Sequence, residues 1–312
     1  MSIVISAAIC SFNRGEILAK ALRSLCEQKL PPELFEIILV DNASTDNTSN
    51  IVNEIKMNFP SHRIRYYYEA EIGTGFARNR VILEAEGDWI AYLDDDALAD
   101  EDWLFDIFDC IQANPDVWCF GGKIIPYYQT VKPLWFLDKY ETRSWGEKQR
   151  FLKTYESFSG SNMIWNKNVL ERFGGFPTAI GPKGLNFSFG EDTMPFLNAW
   201  NCEKFALFYY SPKIKVYHLV PAYKFSIMYQ LKRSFISGQT SWLYFYNQKN
   251  KSRIYNFTHN FLSGCFRFLI AIFKFHHYER WQNWMIEEGK VVMDRWGGAF
   301  AALGIEGTIK RG

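Results

Sequence analysis

An apolar segment, WIAYL (residues 89–93), runs directly into three adjacent aspartates, Asp94, Asp95 and Asp96. If the segment is a strand, Asp94 and Asp96 lie on one face about 6.6 Å apart, and Asp95 points to the other face. Two carboxylates at that separation repel by about 2.5 kcal/mol at an effective dielectric constant of 20. A divalent cation would turn this repulsion into coordination, because hard cations bind carboxylate oxygens. Alternatively, the acids only favour the N-terminus of the following helix.

Other residues with possible chemical roles also follow apolar segments. SFNR (residues 11–14) follows the first of them, Asp41 ends the second, and His218 ends the last, within VYHLVP. Glu191 and Asp192, in the segment GED, precede a segment with helical spacing. A carboxylate within hydrogen-bonding distance of a hydroxyl group can act as its general base. Alternatively, the pair does no more than stabilise a helix N-terminus.

The segments that position these residues alternate between strand and helix patterns over the first 125 residues. The pattern predicts strands at 3–12, 36–41, 63–69, 88–93 and 117–124, and helices at 15–28, 45–58, 73–85 and 101–113. Such alternation is typical of βαβ units on a parallel sheet. Ligands of these sheets bind beyond the carboxyl ends of the strands, where Asn13, Asp41 and the three aspartates are expected.

The second half of the chain is less regular. Residues 126–157 are rich in aromatic side chains and are predicted to form a long loop or lid, whose aromatic rings either stack on a ligand ring or pack against the protein. Helices are predicted at 189–200 and 226–245, with strands near 204–210 and 214–219 between them.

Taken together, CSFNR (10–14), VDNASTDNT (40–48), GTGFARNR (73–80) and the aspartate triplet resemble glycosyltransferase family 2, the inverting nucleotide-sugar transferases with the GT-A fold. The resemblance extends from residue 3 to about residue 220 and includes SGSNM (159–163), GGF (174–176) and GED (190–192). It implies an α/β fold with a Rossmann-like, mostly parallel central sheet flanked by helices. Residues 1–221 would form the catalytic domain, 1–125 its nucleotide-sugar-binding half and 126–221 its acceptor half. Residues 222–312 would add a helical, basic and aromatic extension.

The resemblance also implies a role for each matching residue. Nucleotide-sugar binding is expected from Ser11, Asn13, Arg14, Asp41, Arg78, Asp94 and Asp95. A Mn²⁺ or Mg²⁺ ion is expected on Asp96, Asp94 and His218. Asp192 would be the general base, Glu191 would orient the substrates, and Asn162, Gly175 and Phe176 would contact the acceptor. Two alternatives stay open: Arg78 as an ordinary surface arginine, and His218 as a diphosphate contact or a core histidine.

The expected activity is metal-dependent transfer of a single sugar from a nucleotide-diphosphate sugar, a UDP-sugar before a GDP- or dTDP-sugar, to a glycan or polyprenyl-linked acceptor. Processive synthases that resemble this sequence carry QxxRW, whereas residues 230–234 read QLKRS. A sugar-1-phosphate nucleotidyltransferase is an alternative, but CSFNRGE lacks the glycine-rich basic loop of that class. A non-catalytic glycan-binding protein of this fold is another, although it should have lost Asp94, Asp96 or Asp192.

Charge is distributed unevenly although the net charge is only +1. From Ala222 onward there are 13 lysines and arginines against 5 acidic residues, and before it 22 against 29. The segment 261–275 has the length and pattern of a helix that lies in a membrane interface, although packing on the protein or on a second subunit would also bury it. Scattered cysteines without CxxC and the lack of a signal-peptide pattern favour a cytoplasmic protein. The basic surplus from Ala222 onward predicts attraction to anionic lipids, and hence a position peripheral to the inner face of the plasma membrane. Nucleic acid is not expected as a partner.

Overall fold

The computed structural model describes residues 2–184, 186–187, 189–203, 205–243, 252–305 and 309–310. The chain forms two compact units. The first comprises Met1–Tyr127, Glu141–Gly184 and Glu191–Leu219, and the second comprises Tyr128–Tyr140, Leu185–Gly190 and Val220–Gly312.

The first unit is built on a mixed sheet whose described strands follow the order β3-β2-β1-β4-β8-β6-β10-β5, with β7 paired to β10. The strands are β1 Ile5–Ser11, β2 Phe35–Asp41, β3 Ile64–Tyr68, β4 Trp89–Asp94, β5 Ala97–Ala99, β6 Cys119–Tyr128, β7 Arg150–Phe151, β8 Met163–Asn166 and β10 Phe208–Val220. The pairs β1–β2, β1–β4 and β2–β3 are parallel, and β8 runs antiparallel to β4 and β6. The predicted fold class, a mostly parallel α/β sheet, is confirmed.

Helices cover both faces of this sheet. They are α1 Gly15–Cys26, α2 Thr48–Asn58, α3 Thr74–Glu84, α4 Trp103–Ala113, α5 Lys167–Arg172 and α6 Met194–Cys202. Alternate residues of one strand therefore enter different cores: Ile5 and Ile9 pack on one side, and Ala8 packs on the other. A strand covered on both faces reads as a continuous apolar run, which is why apolar runs in the sequence located these strands well.

Two boundaries differ from the sequence-based prediction. The strands expected near 204–210 and 214–219 are one strand, β10, which pairs with β7 through Tyr209 and Tyr210 and with β5 through Val216 to His218. Pro212 lies between these two pairings in the sequence. The helix expected from residue 189 begins at Met194, because the acidic residues before it lie in a turn.

The second unit contains three long helices, α7 Ile227–Ser241, α8 Arg253–Lys274 and α9 Trp281–Ala302, and a short antiparallel pair of strands, β9 Asn186–Phe187 and β11 Ile309–Lys310. Glycines allow α7 and α9 to approach closely: a Cβ on Gly238 would lie 1.9 Å from the Asp294 carbonyl oxygen. Gln230, in the segment that partly matches QxxRW, is buried and donates to the Lys224 carbonyl oxygen at 2.9 Å. No helix within the described residues is long and apolar enough to cross a membrane.

The aromatic segment 126–157 is divided between the units. β6 continues to Tyr128, and within the second unit Phe136 and Tyr140 are buried together with Phe225 and Ile286. Packing, and not ligand stacking, therefore explains Phe136 and Tyr140. Tyr155, in the first unit, is 65% exposed.

Candidate active site

The parallel pairing brings three polar strand ends to one edge of the sheet. Ser11 is in register with Asp41 across β1 and β2, and Cys10 is in register with Asp94 across β1 and β4. Asp94 ends β4, and Asp95 and Asp96 form the turn before β5. The acidic triplet therefore lies beyond the carboxyl ends of the parallel strands, the position at which open α/β sheets bind ligands.

His218 reaches this edge from β10, a strand much later in the sequence than the aspartates. It pairs with Ala97 across β10 and β5, and the Leu219 N–H donates to the Asp96 carbonyl oxygen at 2.9 Å. Its Nε2 atom lies 3.2 Å from Asp96 Oδ1 and 3.8 Å from Asp94 Oδ2. One ligand atom from each of the three residues lies within 4.8 Å of the others. The predicted metal ligands are thus together.

The donor chemistry of this cluster fits a divalent cation. The Nδ1 atom of His218 lies 3.1 Å from the Leu219 carbonyl oxygen. If Nδ1 carries the proton and donates to that oxygen, the Nε2 lone pair faces the Asp96 carboxylate. An imidazole lone pair and a carboxylate oxygen 3.2 Å apart repel each other unless both bind a cation. Two carboxylates and one imidazole are suitable ligands for Mn²⁺.

Arg14 and Ser11 hold the other side of the triplet. Arg14 donates to Asp95 Oδ1 at 2.5 Å and to Asp96 Oδ2 at 2.9 Å, and the Ser11 hydroxyl donates to Asp95 Oδ2 at 2.8 Å. Asp95 is buried, so its charge is matched inside the protein and not by solvent. These contacts fix one oxygen of Asp96 and leave Oδ1 directed to His218.

Asp41 is buried and oriented by two neighbours that the sequence did not single out. The Tyr66 hydroxyl donates to Asp41 Oδ2 at 2.6 Å, and the Ser44 N–H donates to Oδ1 at 2.9 Å. Burial and the hydrogen bond to Asp41 raise the pKa of Tyr66, so its hydroxyl stays protonated and remains a donor. Asn13, with a positive φ of 52°, accepts from the Thr45 N–H at 2.7 Å and so connects the β1 and β2 loops.

Arg78 is a buried arginine, so the alternative of an ordinary surface residue is wrong. Its Nη1 donates to Glu191 Oε1 at 3.1 Å, and its Nη2 donates to Asp94 Oδ1 at 3.3 Å. Space beside it is tight, because a Cβ on Gly160 would lie 2.2 Å from Nη2. Arg78 thereby joins the acidic triplet to the GED segment.

Glu191 and Asp192 have different environments. Glu191 is buried, and burial together with the Asp192 charge raises its pKa to about 7 against the opposing effect of Arg78. Asp192 is half-buried, and its Oδ2 accepts from the Gly160 N–H at 2.8 Å. Its Oδ1 accepts from the Thr193 hydroxyl at 3.3 Å, so each carboxylate oxygen has a donor that restrains its orientation.

The three residues expected to contact an acceptor lie inside the first unit. The Asn162 amide is buried, donates to the carbonyl oxygens of Lys123 and Ile214, and accepts from the Trp103 indole at 3.0 Å. Phe176 is 2% exposed, and Gly175 has a φ of +64°. The Arg78 guanidinium lies 5.4 Å from the centre of the Phe176 ring. Contact of these three residues with an acceptor stays a prediction.

The sequence profile described as "Glycosyl transferase family 2" matches residues 6–173, more than half of the chain. The chain belongs to glycosyl transferase family 2. The matched region contains Asp41, Arg78, Asp94 and Asp96, while Asp192 and His218 lie beyond it. The family assignment made from the motifs is therefore confirmed.

Two curated family 2 relatives are similar over much of the chain. A glucosyl-dolichyl phosphate glucuronosyltransferase from Haloferax volcanii is 24% identical over 189 residues, which is 58% of this chain and 58% of that protein. The succinoglycan biosynthesis protein ExoM from Rhizobium meliloti is 26% identical over 240 residues, 76% of this chain and 73% of that protein. The chain thus spans less than two thirds of the first of these relatives.

Two solved structures share the fold of this family 2 chain. A mannosyltransferase from Pyrobaculum calidifontis, in complex with GDP-Man and Mn²⁺, has a TM-score of 0.55 and 21% identity over 76% of this chain and 62% of its own. Staphylococcus aureus TarS, in complex with UDP-GlcNAc, has a TM-score of 0.56 and 19% identity over 70% of this chain and 59% of its own. These likenesses establish the GT-A architecture.

Proposed function

We propose that this protein transfers a single sugar, with inversion, from a nucleotide-diphosphate sugar to a hydroxyl group of a glycan or lipid-linked acceptor. The observation that carries the proposal is the position of Arg78, which donates to Asp94 of the cation cluster and to Glu191 beside the candidate base. In the proposal, Asp94 belongs to the donor side and Glu191 lies beside the group that activates the acceptor, and the buried guanidinium that contacts both supports a shared site. Burying charged groups costs free energy. A shared chemical role of the two clusters would explain why the chain keeps this buried contact.

On the donor side, Asp94, Asp96 and His218 would hold Mn²⁺ or Mg²⁺. The bound cation would neutralise the charge that develops on the departing nucleoside diphosphate. Arg14 keeps Asp96 in place by donating to its second oxygen at 2.9 Å. The same guanidinium also pairs with Asp95, so the ligand set is held before the donor arrives.

The nucleotide is proposed to be uridine diphosphate. Asp41 would accept a hydrogen bond from the base or the ribose, as a carboxylate can. Each of its oxygens already accepts one hydrogen bond, from Tyr66 and Ser44, and retains a second lone pair that can accept from a base N–H or a ribose hydroxyl. TarS was solved with UDP-GlcNAc and the mannosyltransferase with GDP-Man, so the fold accommodates either nucleotide.

On the acceptor side, Asp192 would act as the general base. The acceptor oxygen attacks the anomeric carbon, the bond from that carbon to the diphosphate oxygen breaks, and the hydroxyl proton passes to the Asp192 carboxylate. The Gly160 N–H, which donates to Oδ2 at 2.8 Å, restrains the rotation of this carboxylate. Glu191, paired with Arg78, would orient the acceptor or the sugar.

The setting is proposed to be the cytoplasmic face of the plasma membrane, with a polyprenyl-linked acceptor. The basic surplus from Ala222 onward supports contact with an anionic surface. The relative from Haloferax volcanii is named for a dolichyl-phosphate-linked substrate.

A thermal-shift screen of UDP-, GDP- and dTDP-sugars, each with Mn²⁺ and with a chelator, tests the proposal. We expect stabilisation by a UDP-sugar in Mn²⁺ and its loss in the chelator, since a ligand that binds only the folded state raises stability. Stabilisation by GDP-sugars alone would overturn the choice of nucleotide, and no response to any nucleotide sugar would overturn the proposed function.

A further inference from the structure

The helix α8 presents a continuous row of large apolar side chains to solvent. Leu262, Phe266, Leu269 and Phe273 are 60%, 64%, 55% and 77% exposed. Their spacing of four, three and four residues places them along one line of the helix. The row is about 16 Å long at the helical rise of 1.5 Å per residue. We refer to these four side chains as the outer row of α8.

The opposite side of α8 faces α9 through small residues. Gly264 and Ala271 are the buried residues of this helix. A Cβ on Gly264 would lie 2.4 Å from the Trp296 indole nitrogen, and the Ala271 carbonyl oxygen accepts from the Trp284 indole at 2.7 Å. A surface helix normally turns its large apolar side chains to the core, so α8 has the reverse arrangement.

The outer row is not the face that helical periodicity indicated. Helical spacing in the sequence groups Phe261, Cys265, Phe268, Ile272 and Phe275 on one face, and of these Phe268, Ile272 and Phe275 are 46%, 50% and 50% exposed. Phe261 is half-buried and stacks on Trp296 with ring centroids 6.3 Å apart. The exposed apolar arc therefore extends past the predicted face to the outer row, which ends at Phe273, the most exposed aromatic side chain of α8.

The charges of α8 favour an anionic partner. The 22 residues of the helix contain no aspartate or glutamate. Arg267 is exposed, and Lys274, seven residues later on the same flank, is partly exposed and paired with Glu288 at 2.9 Å. Trp281, at the start of α9, is 52% exposed, and tryptophan is enriched where apolar and aqueous phases meet.

We propose that the outer row of α8 inserts into the interfacial layer of an anionic phospholipid bilayer, with Arg267 beside the headgroup phosphates. An amphipathic helix that lies in the interface has this combination of aromatic and aliphatic side chains with basic residues on its flank. A second copy docked through the same row would find no carboxylate on α8 to pair with Arg267, whereas lipid phosphates supply the opposite charge. This inference rests on the proposed membrane setting of the function, and specifies the surface that makes the contact.

Flotation of the full chain with vesicles tests the proposal. Phosphatidylcholine vesicles with and without phosphatidylglycerol are compared for the wild type, for Leu269→Glu/Phe273→Glu, and for a matched control, Leu83→Glu, a 77% exposed leucine on α3. We expect the wild type and Leu83→Glu to float with the anionic vesicles. The partition of the double variant should fall by more than about tenfold, because two large apolar groups no longer enter the interface. Arg267→Gln should lower binding to anionic vesicles and leave binding to neutral vesicles unchanged.

Folding of the double variant is checked by its Mn²⁺-dependent response to the UDP-sugar. A milder pair, Phe266→Ala/Phe273→Ala, should show an intermediate loss of flotation. Flotation of the double variant at the wild-type level would overturn the proposal. So would a wild-type protein that fails to float, or a wild-type dimer that the double variant converts to monomer, since a second copy would then cover the row. A protein that floats but binds no nucleotide sugar would refute the proposed function and leave this surface intact.

Discussion

The guanidinium of Arg78 donates to Glu191 at 3.1 Å although the two residues are 113 positions apart in the sequence. Its second terminal nitrogen donates to Asp94 at 3.3 Å, and both Arg78 and Glu191 are buried. The Arg78 side chain therefore connects Asp94, at the sheet edge, to Glu191 in the turn before α6. Any change at Arg78 should affect the cation cluster and the candidate base together.

The first prediction concerns this connection. Arg78→Gln should destabilise the protein by about 3–5 kcal/mol, because it leaves the buried Glu191 and the neighbouring Asp94 without the positive charge of the guanidinium. Urea unfolding monitored by tryptophan fluorescence measures the change. Arg80→Gln, on the same helix and paired with the partly exposed Glu84, is the matched control and should cost no more than about 1 kcal/mol. Equal effects of the two substitutions would show that Arg78 is not a buried link.

The raised pKa of Glu191 predicts a pH dependence of stability. Its pKa is about 7 in the folded protein and 4.5 when unperturbed. Between those two pH values the folded protein binds a proton at Glu191 that the unfolded chain does not bind. The contribution of Glu191 to the free energy of unfolding is therefore complete below about pH 4.5 and is lost as the pH rises through about 7.

The measurement compares urea unfolding of metal-free wild type and Glu191→Gln from about pH 4.5 to about pH 8. The wild type should lose stability relative to the variant as the pH increases over this window. The comparison cancels the titration of groups common to both proteins. A difference that stays constant across the window, or that increases with pH, would contradict the raised pKa.

Much of the site was predictable because the carboxyl ends of parallel strands lie at the same edge of a sheet. Asp41 and Asp94 end apolar segments that are buried on both faces, and such strands have a single common direction. His218 could be placed at the same edge only through the resemblance, because its position depends on the antiparallel pairing of β10 with β5.

Other contacts depend on side chains that meet only in the folded chain. The sequence around Tyr66 does not indicate that its hydroxyl reaches Asp41. The sequence around Arg78 predicts where the helix begins, but not that the guanidinium is buried. The outer row of α8 was also missed. Helical periodicity identifies apolar positions, but which of them face solvent depends on the side to which α9 packs.

The contact between Tyr66 and Asp41 leads to a prediction about donor binding. Tyr66→Phe removes the 2.6 Å hydrogen bond that orients the carboxylate. We expect the loss of this orientation to cost about 1.4 kcal/mol or more of binding free energy, and 1.4 kcal/mol is a tenfold change in affinity. The Kd for the nucleotide should therefore rise by about tenfold or more in isothermal titration. Tyr68→Phe, an exposed tyrosine on the same strand, is the control and should bind like the wild type.

The cation cluster predicts that nucleotide binding depends on Asp96. Asp96→Ala removes the carboxylate nearest to His218 and should abolish the increase in UDP affinity that Mn²⁺ produces, since two carboxylates and one imidazole are reduced to a weaker pair of ligands. Titration of UDP with and without Mn²⁺ measures this. Glu101→Ala, an exposed acid close in sequence, should keep the full Mn²⁺ effect. An undiminished Mn²⁺ effect in Asp96→Ala would place the cation elsewhere.

The candidate base gives the last prediction. Asp192→Asn keeps the size of the side chain and an oxygen that can accept from the Gly160 N–H, but it cannot take a proton from the acceptor. Transfer should fall by about 100-fold to 10,000-fold, the usual contribution of general base catalysis, while the Kd for UDP in Mn²⁺ changes little. Asp109→Asn, an exposed residue of α4, should retain full activity. If Asp192→Asn instead lost nucleotide binding with its fold intact, Asp192 would belong to the donor side, and Glu191, whose pKa near 7 suits proton transfer, would become the candidate base.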